Sequence, residues 1–256
     1  NRDFAEMASE MLGELNASHT GCRVFINQPN GDNTASLGVI YDNEYKGSGV
    51  KIAEVLEGSP LINAKSKIKS GDIIEKIDGN DIAENANFYI FLNRKAGKYL
   101  LLDVFNPSSG ERWQGKIKPV TQEYEAELLY KRWVKARRIE TEKLSNGRIG
   151  YVHVRGMDDA SFRVVYDEVL GMHLDKSAII IDTRFNGGGN LHDELVTFFG
   201  GKKYFEYIPR EQLIGSEPGQ KWTLPTVCLV SESNYSDAHL FPVAYKELGL
   251  GDAVGM

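Results

Sequence analysis

The chain has 256 residues, of which 41% are hydrophobic, and this is enough for one large domain or two smaller ones. Its formal net charge of −6 argues against nucleic-acid and anionic-membrane partners, because both repel an acidic protein. No apolar run approaches the length needed to cross a bilayer, and Cys22 and Cys228 give neither a disulfide framework nor a metal-ligand spacing.

The chain opens with an amphipathic pattern. Apolar residues recur at helical spacing over residues 3–15, which predicts a helix. This helix leads into a polar turn that contains Ser18 and His19. A histidine between serine and threonine is not an obvious core residue, although most lone histidines are plain surface groups. The turn is therefore kept as a candidate site.

Short β-like runs separated by glycines dominate residues 35–120. The predicted strands cover residues 37–41, 50–56, 72–77 and 99–105. Residues 50–60 and 68–79 resemble a PDZ domain, a fold in which a sheet edge and a helix accept an extended peptide. The helix is expected at residues 87–95. Whether this groove binds a peptide terminus stays open.

A long charged helix is predicted over residues 122–144. Its apolar face is expected to contain five residues: Leu128, Leu129, Trp133, Ala136 and Ile139. Arg137 and Arg138 suggest an anion site. The alternation of acidic and basic residues along the helix instead favours a solvated face.

After Gly147 the pattern becomes α/β. Strands are predicted at residues 149–154, 178–182 and 226–230, and helices at about 162–170, 191–199 and 238–248. Residues 252–256 are interpreted as the beginning of a further strand. Near-continuous apolar strands that alternate with helices indicate a parallel sheet. Two domains result, and the smaller is inserted into the larger.

Ser236 lies at the predicted turn between a buried strand and a helix. The N–H groups that open a helix have no intrahelical partner, and the helix dipole favours negative charge beside them. A serine hydroxyl in this place has the geometry of an acyl-transfer nucleophile. Many serines at helix starts are simple N-caps, so the position by itself favours a cap.

The run Asp-Thr-Arg-Phe-Asn-Gly-Gly-Gly at residues 182–189 is the second candidate feature. It is predicted to follow a strand and to open a helix, and its glycines allow bare N–H groups to approach a ligand oxygen. Phosphate binding is disfavoured because no Lys-Ser/Thr follows the glycines and the G-x-G-x-x-G spacing is absent. A plain turn remains an equal alternative.

The other histidines have less context. His153 alternates within a strand, His173 ends a helix, and His192 and His239 lie on predicted helices near the candidate site. His239 is a second, less favoured candidate for a general base.

In chain order these features resemble the tricorn protease family, within the carboxyl-terminal processing peptidase group of serine proteases. The resemblance covers nearly the whole chain. Six features carry it: a helix that ends in Ser18-His19, a PDZ-like segment, a charged helix with a tryptophan, the strand Gly-Arg-Ile-Gly-Tyr-Val-His-Val, the glycine run, and the turn Asn-Tyr-Ser-Asp.

The resemblance implies an α/β catalytic domain with the ββα superhelical fold of crotonase and Clp-type proteases, an inserted PDZ-like β domain and an N-terminal helical segment. The expected divisions are residues 1–34 for the helical part of the catalytic core that carries Ser-His, 35–120 for the PDZ-like domain, and 121–256 for the α/β serine protease core.

The resemblance also assigns roles to single residues. Ser236 matches the nucleophile, His19 the general base, and Ser18 a link between the histidine and a distant glutamate. The oxyanion hole is expected from the backbone N–H groups of Gly189 and Asp237. We expect a serine peptidase that cleaves peptides or oligopeptides through an acyl-enzyme, with no cofactor and no metal.

The family's glutamate is expected beyond Met256, so the sequence is interpreted as a fragment that is inactive, or nearly so, without this orienting carboxylate. The resemblance implies a cytoplasmic protein that is a homo-oligomer at full length; an exported form stays open.

Two alternatives to a peptidase remain. One is a PDZ-type peptide-binding module whose serine site is a relic, and the other is a non-catalytic ligand-binding member of the same fold group. Glu206 and Glu211 could shape a specificity pocket, although surface charges are the simpler explanation.

Overall fold

The computed structural model describes residues 2–17, 19–25, 31–64 and 66–256. The chain divides into two compact units, Asn1–Glu125 and Ala126–Met256, and each has its own buried apolar core. The three-part division with boundaries after residues 34 and 120 stays a prediction. In the described ranges, no helix combines the length and apolar character that a bilayer crossing requires.

The first unit begins with helix α1 (Arg2–Gly13). The helix buries only Ala5, whereas Phe4, Met7 and Met11 on its apolar face are exposed. Its helical form follows the spacing of these apolar residues.

A six-stranded antiparallel sheet forms the body of the first unit. Its strands are β1 (Val39–Tyr41), β2 (Val50–Val55), β3 (Ile73–Ile77), β4 (Asn80–Asp81), β5 (Leu100–Phe105) and β6 (Arg112–Ile117). The strand order is β1-β2-β3-β5-β6, and β4 pairs with β3. The short helix α2 (Pro60–Asn63) begins at Ser59, whose hydroxyl accepts the N–H of Leu61.

The helix expected at residues 87–95 is wrong in length and type. Only a 3₁₀ helix, Phe88–Leu92, forms there. It ends because Asn93 is extended and Arg94 has a φ of 58°, so the backbone leaves the helical region. Phe88 and Leu92 are nevertheless buried in the core of the sheet unit.

Helix α3 (Gln122–Leu144) has the predicted bounds and crosses the division between the units. The predicted apolar face is only partly correct, because Leu128 is buried whereas Leu129 and Ile139 are exposed. The solvated-face interpretation is wrong for Arg138. A guanidinium nitrogen of Arg138 lies 2.7 Å from a carboxylate oxygen of Glu168, and both side chains are largely buried.

The second unit is built on a parallel four-stranded sheet in the order β12-β11-β8-β7. Its strands are β7 (Ile149–His153), β8 (Ala178–Asp182), β11 (Thr226–Val230) and β12 (Gly251–Gly255), and a separate antiparallel hairpin consists of β9 (Phe205–Tyr207) and β10 (Gly215–Glu217). The residues of β7, β8 and β11 are mostly apolar and are buried or half-buried, as expected for parallel pairing, whereas β12 is largely exposed.

Three helices accompany this sheet: α4 (Asp159–Asp167), which continues as a π-helical segment Glu168–Met172, α5 (His192–Phe199) and α6 (Asp237–Glu247). Phe198, Phe199 and Phe241 from these helices lie in one core cluster with the buried strand residues. The shared core thereby holds these helices against β8 and β11.

Candidate active site

The glycine run and Ser236 follow two neighbouring strands. β8 and β11 pair in parallel, with Ile179 opposite Thr226 and Asp182 opposite Leu229. The carboxyl ends of parallel neighbours meet at one edge of the sheet, which is where α/β folds place their ligand sites. The loop after β8 and the turn after β11 therefore lie side by side.

Ser236 has an unfavourable backbone conformation. Its φ of 55° and ψ of −123° are unusual for a residue with a Cβ atom, and its side chain makes no capping hydrogen bond to α6. A simple N-cap serine has extended backbone angles and caps with its hydroxyl, so the N-cap explanation does not fit Ser236. Strain of this kind at a strand-to-helix turn is typical of an exposed nucleophile.

Gly188 packs directly against this turn. A Cβ atom added to Gly188 would lie 2.6 Å from the carbonyl oxygen of Tyr235 and 2.8 Å from the Cβ of Ser236, and the φ of Gly188 is +95°. Both the close approach and the positive φ require glycine. The glycine loop and the serine turn are thus in contact.

Gly189 and Asp237 carry the two N–H groups expected to form an oxyanion hole. Met157 pairs with the loop by donating its N–H to Gly188 and accepting that of Asn190, so the N–H of Gly189 points away from Met157. Asp237 is the first residue of α6, where no intrahelical acceptor exists. Neither N–H has an acceptor among the residues described.

Asn234 holds the serine turn from within. Its side-chain N–H group donates to the hydroxyl of Thr183 at 2.8 Å and to the carbonyl oxygen of Ala238 at 3.1 Å. Thr183 in turn donates to the carbonyl oxygen of Leu229 on β11. These bonds join the ends of both strands to the start of α6.

The carboxylate of Asp237 has a second partner set that sequence reasoning missed. One of its oxygens accepts the N–H groups of Leu191 and His192 at 2.6 and 3.1 Å, and the other lies 2.5 Å from the imidazole Nδ1 of His192. Asp237 therefore caps α5 from a distant position in the chain. One feature of the sequence could have indicated this capping. Leu191 directly precedes α5 and its side chain cannot cap the helix, so the cap must come from elsewhere in the chain.

The helix that follows the glycine run starts within one residue of the predicted position at about 191. The helix begins at His192, three residues after Gly189. The intervening Asn190 donates its backbone N–H to the carbonyl oxygen of Met157, which anchors the segment between the glycine run and the helix.

A buried ionic network lies before the glycine run. The guanidinium of Arg184 and the hydroxyl of Tyr151 both donate to the fully buried carboxylate of Asp182, at 2.6 and 2.7 Å. Burial by itself would raise the pKa of Asp182, but these two donors outweigh it and hold this pKa below its ordinary value. Burial raises the pKa of Tyr151, and the hydrogen bond to Asp182 and the charge of Asp182 raise it further.

His153 has a structural role in this network. Its Nε2 lies 3.0 Å from the carbonyl oxygen of Arg184 and must carry the proton, so its Nδ1 accepts the hydroxyl of Tyr130 at 2.9 Å. Burial lowers the pKa of His153 and favours this neutral form.

Other candidate groups do not form a competing site. Burial raises the pKa of the Cys228 thiol to about 12, so this thiol stays protonated near neutral pH and is a poor nucleophile. Glu206 lies on the exposed hairpin and pairs with Lys203 at 2.6 Å, and Glu211 is exposed. Over the described ranges, no group of three or more His, Cys, Asp or Glu side chains is arranged to hold a metal ion.

The remaining predicted site residues are located as follows. His19 belongs to the first unit, in an exposed turn with a φ of 63°, and Ser18 lies outside the described residues. His239 is exposed on α6 and donates its backbone N–H to Ser236. The structure brings together Ser236, Asp237 and Gly189. The catalytic roles of these three residues and of His19 and Ser18 stay predictions.

Comparison of this chain with known proteins finds a matching family, similar proteins and a similar structure. Residues 148–256 match the model of peptidase family S41. The tricorn protease of Thermoplasma volcanium is 24% identical over 99% of this chain and 25% of its own length, and the tricorn protease homolog of Saccharolobus solfataricus is 26% identical over 99% of this chain and 24% of its own. The crystal structure of the tricorn protease superimposes on 96% of this chain and 24% of that chain, with a TM-score of 0.80 and 24% identity.

These similarities show the fold and a peptidase match over the second unit. The mixed α/β fold matches that of the tricorn protease structure. The chain spans about a quarter of the length of the curated relatives it matches. Residues 148–256 therefore match peptidase family S41, and the chain as a whole is similar to the tricorn proteases.

Proposed function

We propose that this chain carries the nucleophile of a serine peptidase, in which Ser236 attacks a peptide carbonyl and forms an acyl-enzyme. The observation that carries the proposal is the strained conformation of Ser236 against Gly188, at the edge of the sheet where β8 and β11 end. The names of the curated relatives, which are proteases, support peptides as the substrate class.

The chemistry assigns one role to each group. His19 takes the hydroxyl proton of Ser236 as the oxygen attacks, and it later gives that proton to the leaving amine. The N–H groups of Gly189 and Asp237 donate to the negative oxygen of the tetrahedral intermediate. Water then hydrolyses the ester, with His19 again as the base. Ser18 links His19 to an orienting glutamate in this proposal.

A fluorophosphonate probe tests the proposal, since it labels only a serine that is activated as a nucleophile. We expect labelling of the wild-type chain, or of a carboxyl-terminally longer form, to disappear in Ser236→Ala. In His19→Ala the rate should fall by several orders of magnitude, because the base is lost. His239→Ala is the matched control and should label at the wild-type rate. Labelling that persists in Ser236→Ala would refute the assignment.

A second function is proposed for the sheet of the first unit. β1 is an edge strand that pairs only with β2 among the described strands, and Tyr41 on β1 contacts the ring of Phe88 in the 3₁₀ helix, with centroids 4.9 Å apart. A strand edge beside a helix is the PDZ-type arrangement for capturing a peptide terminus. Fluorescence anisotropy with a labelled peptide library tests it, and equal binding of free and amidated carboxyl termini would contradict it.

The finer features of the resemblance belong to this proposal as well. They are the crotonase- and Clp-like superhelical form of the catalytic domain, the insertion of the PDZ-like domain, assembly into a homo-oligomer at full length, and a cytoplasmic location. The matched fold supports the first of these, and the other three remain predictions.

A further inference from the structure

Asn186 lies between the glycine loop and the serine turn, and it is fully buried. Its side chain uses both ends. The amide nitrogen donates to the carbonyl oxygen of Val154 at 2.8 Å, and the amide oxygen accepts the N–H of Gly188 at 2.9 Å. Val154 directly follows β7, so the side chain ties the loop to the end of a third strand.

The backbone of Asn186 makes the contact to the nucleophile. Its carbonyl oxygen accepts the N–H of Tyr235, the residue before Ser236, at 3.1 Å. One residue therefore contacts the end of β7, the glycine loop and the serine turn. Since Asn186 has no exposed surface, it cannot touch a substrate, and any effect on the reaction must act through its neighbours.

These contacts matter because an oxyanion hole works through the placement of its donors. Gly188 has a φ of +95° and Gly189 a φ of +149°, and without a Cβ neither residue restricts its own backbone. Other groups must hold the loop in place. The acceptor for Gly188 is the side chain of Asn186, and a displacement of about 1 Å at such a site can cost about 100-fold in rate.

We propose that Asn186 is a positioning residue that fixes the Gly188–Gly189 loop relative to Ser236 and thereby sets how strongly the site stabilises a tetrahedral oxyanion. This inference rests on the proposed function. It requires that Asn186 affects the step in which the oxyanion forms and leaves initial binding unchanged.

The test is the concentration dependence of fluorophosphonate labelling, which separates the maximal inactivation rate from the half-saturating probe concentration. In Asn186→Ala we expect the maximal rate to fall by about 10- to 100-fold, with the half-saturating concentration changed less than twofold. Asn106→Ala is the matched control. Asn106 is a buried asparagine of the first unit that donates to Asp72 and accepts the N–H groups of Ser108 and Ser109. The Asn106→Ala variant should have a lower thermal stability than the wild type and an unchanged maximal labelling rate.

Asn186→Asp provides a second readout and decides the question if Asn186→Ala does not fold. A carboxylate still accepts the N–H of Gly188 but cannot donate to Val154, whereas a protonated carboxyl can do both. The rate relative to wild type should therefore rise as the pH falls, and the ratio cancels the titration of the general base.

The outcomes separate the two proposals. If neither the wild-type chain nor its carboxyl-terminally longer form is labelled at Ser236, the proposed function is refuted; the Asn186 variants are measured in whichever form is labelled. Labelled wild type together with folded Asn186 variants that keep the wild-type maximal rate overturns the positioning role alone. A loss confined to the half-saturating concentration overturns it too, because it would indicate a binding effect.

Discussion

At the scale of single residues, the backbone conformation of Ser236 has a cost in stability that glycine at this position would avoid. With φ at 55° and ψ at −123°, its Cβ atom crowds the backbone, and such a residue costs about 1–3 kcal/mol. Glycine has no Cβ and adopts these angles freely, although it adds about 0.5–1 kcal/mol of chain entropy to the cost of folding. The conformation should therefore lower stability measurably.

We predict that Ser236→Gly unfolds at a higher urea concentration than Ser236→Ala. The expected difference is about 1 kcal/mol in the free energy of unfolding, because alanine keeps the strained Cβ and glycine removes it. Both variants lose the hydroxyl, so the comparison isolates the backbone. Equal stability of the two variants would mean that the turn is not strained.

At the scale of elements, the contact between the glycine loop and the serine turn allows a sharper comparison within one loop. A Cβ on Gly188 would contact Tyr235, Ser236 and Asp237. The residue that carries it would also have to adopt a positive φ. A Cβ on the adjacent Gly187 meets no atom of the described residues within 4 Å.

We predict that Gly188→Ala lowers the free energy of unfolding by about 2–4 kcal/mol, since it combines backbone strain with overpacking. It should also abolish fluorophosphonate labelling, because the loop must move away from Ser236. Gly187→Ala should change stability by less than about 1 kcal/mol. Urea denaturation measures both variants, and similar losses in the two would contradict the observed packing.

The elements that the sequence predicted well are those with strong local signals. The strands Ala178–Asp182 and Thr226–Val230 and the helix Gln122–Leu144 have the predicted bounds, because an apolar run or a long charged periodic segment is interrupted clearly at both ends. Ser236 and the glycine run are recognisable for the same reason. Each lies in the segment between a recognisable strand and a predicted helix.

The features that the sequence did not predict depend on distant partners. Asp237 caps a helix that begins 45 residues earlier, and Arg138 pairs with Glu168 on another helical segment. The bonds of Asn186 reach Val154 and Tyr235, 32 and 49 residues away along the chain. No local pattern encodes such pairs, since they form only once the sheet has brought the strand ends together.

At the scale of the whole molecule, two buried histidines make stability depend on pH. His173 is fully buried, with its Nε2 3.1 Å from the carbonyl oxygen of Tyr151, and its Nδ1 has no partner among the described residues. Burial lowers the pKa of His173 most strongly. The hydrogen bond to the Tyr151 carbonyl and the charge of Glu168 oppose this lowering, and the charges of Arg138 and Lys176 add to it. Burial lowers the pKa of His153 as well. Both histidines favour the neutral form in the folded state.

The sign of the effect follows from proton linkage. An unfolded histidine has a pKa of about 6.5, so between that value and the lower folded pKa the unfolded chain binds more protons than the folded one. Above pH 6.5 both states are neutral and these groups contribute no pH dependence. Below it, each histidine lowers the free energy of unfolding by at most about 1.4 kcal/mol per pH unit.

We therefore predict that the free energy of unfolding falls as the pH is lowered from about 7.5 to 5, and that the double variant His153→Gln/His173→Gln removes most of this slope. Glutamine places an amide N–H near the position of Nε2 and does not titrate, so the bonds to Arg184 and Tyr151 can persist. Urea denaturation at four pH values gives the slope for each protein. The depressed pKa of Asp182 acts only at lower pH, below its unfolded value of about 3.9, so it does not affect this window. A wild-type slope that survives in the double variant would assign the acid sensitivity to other groups.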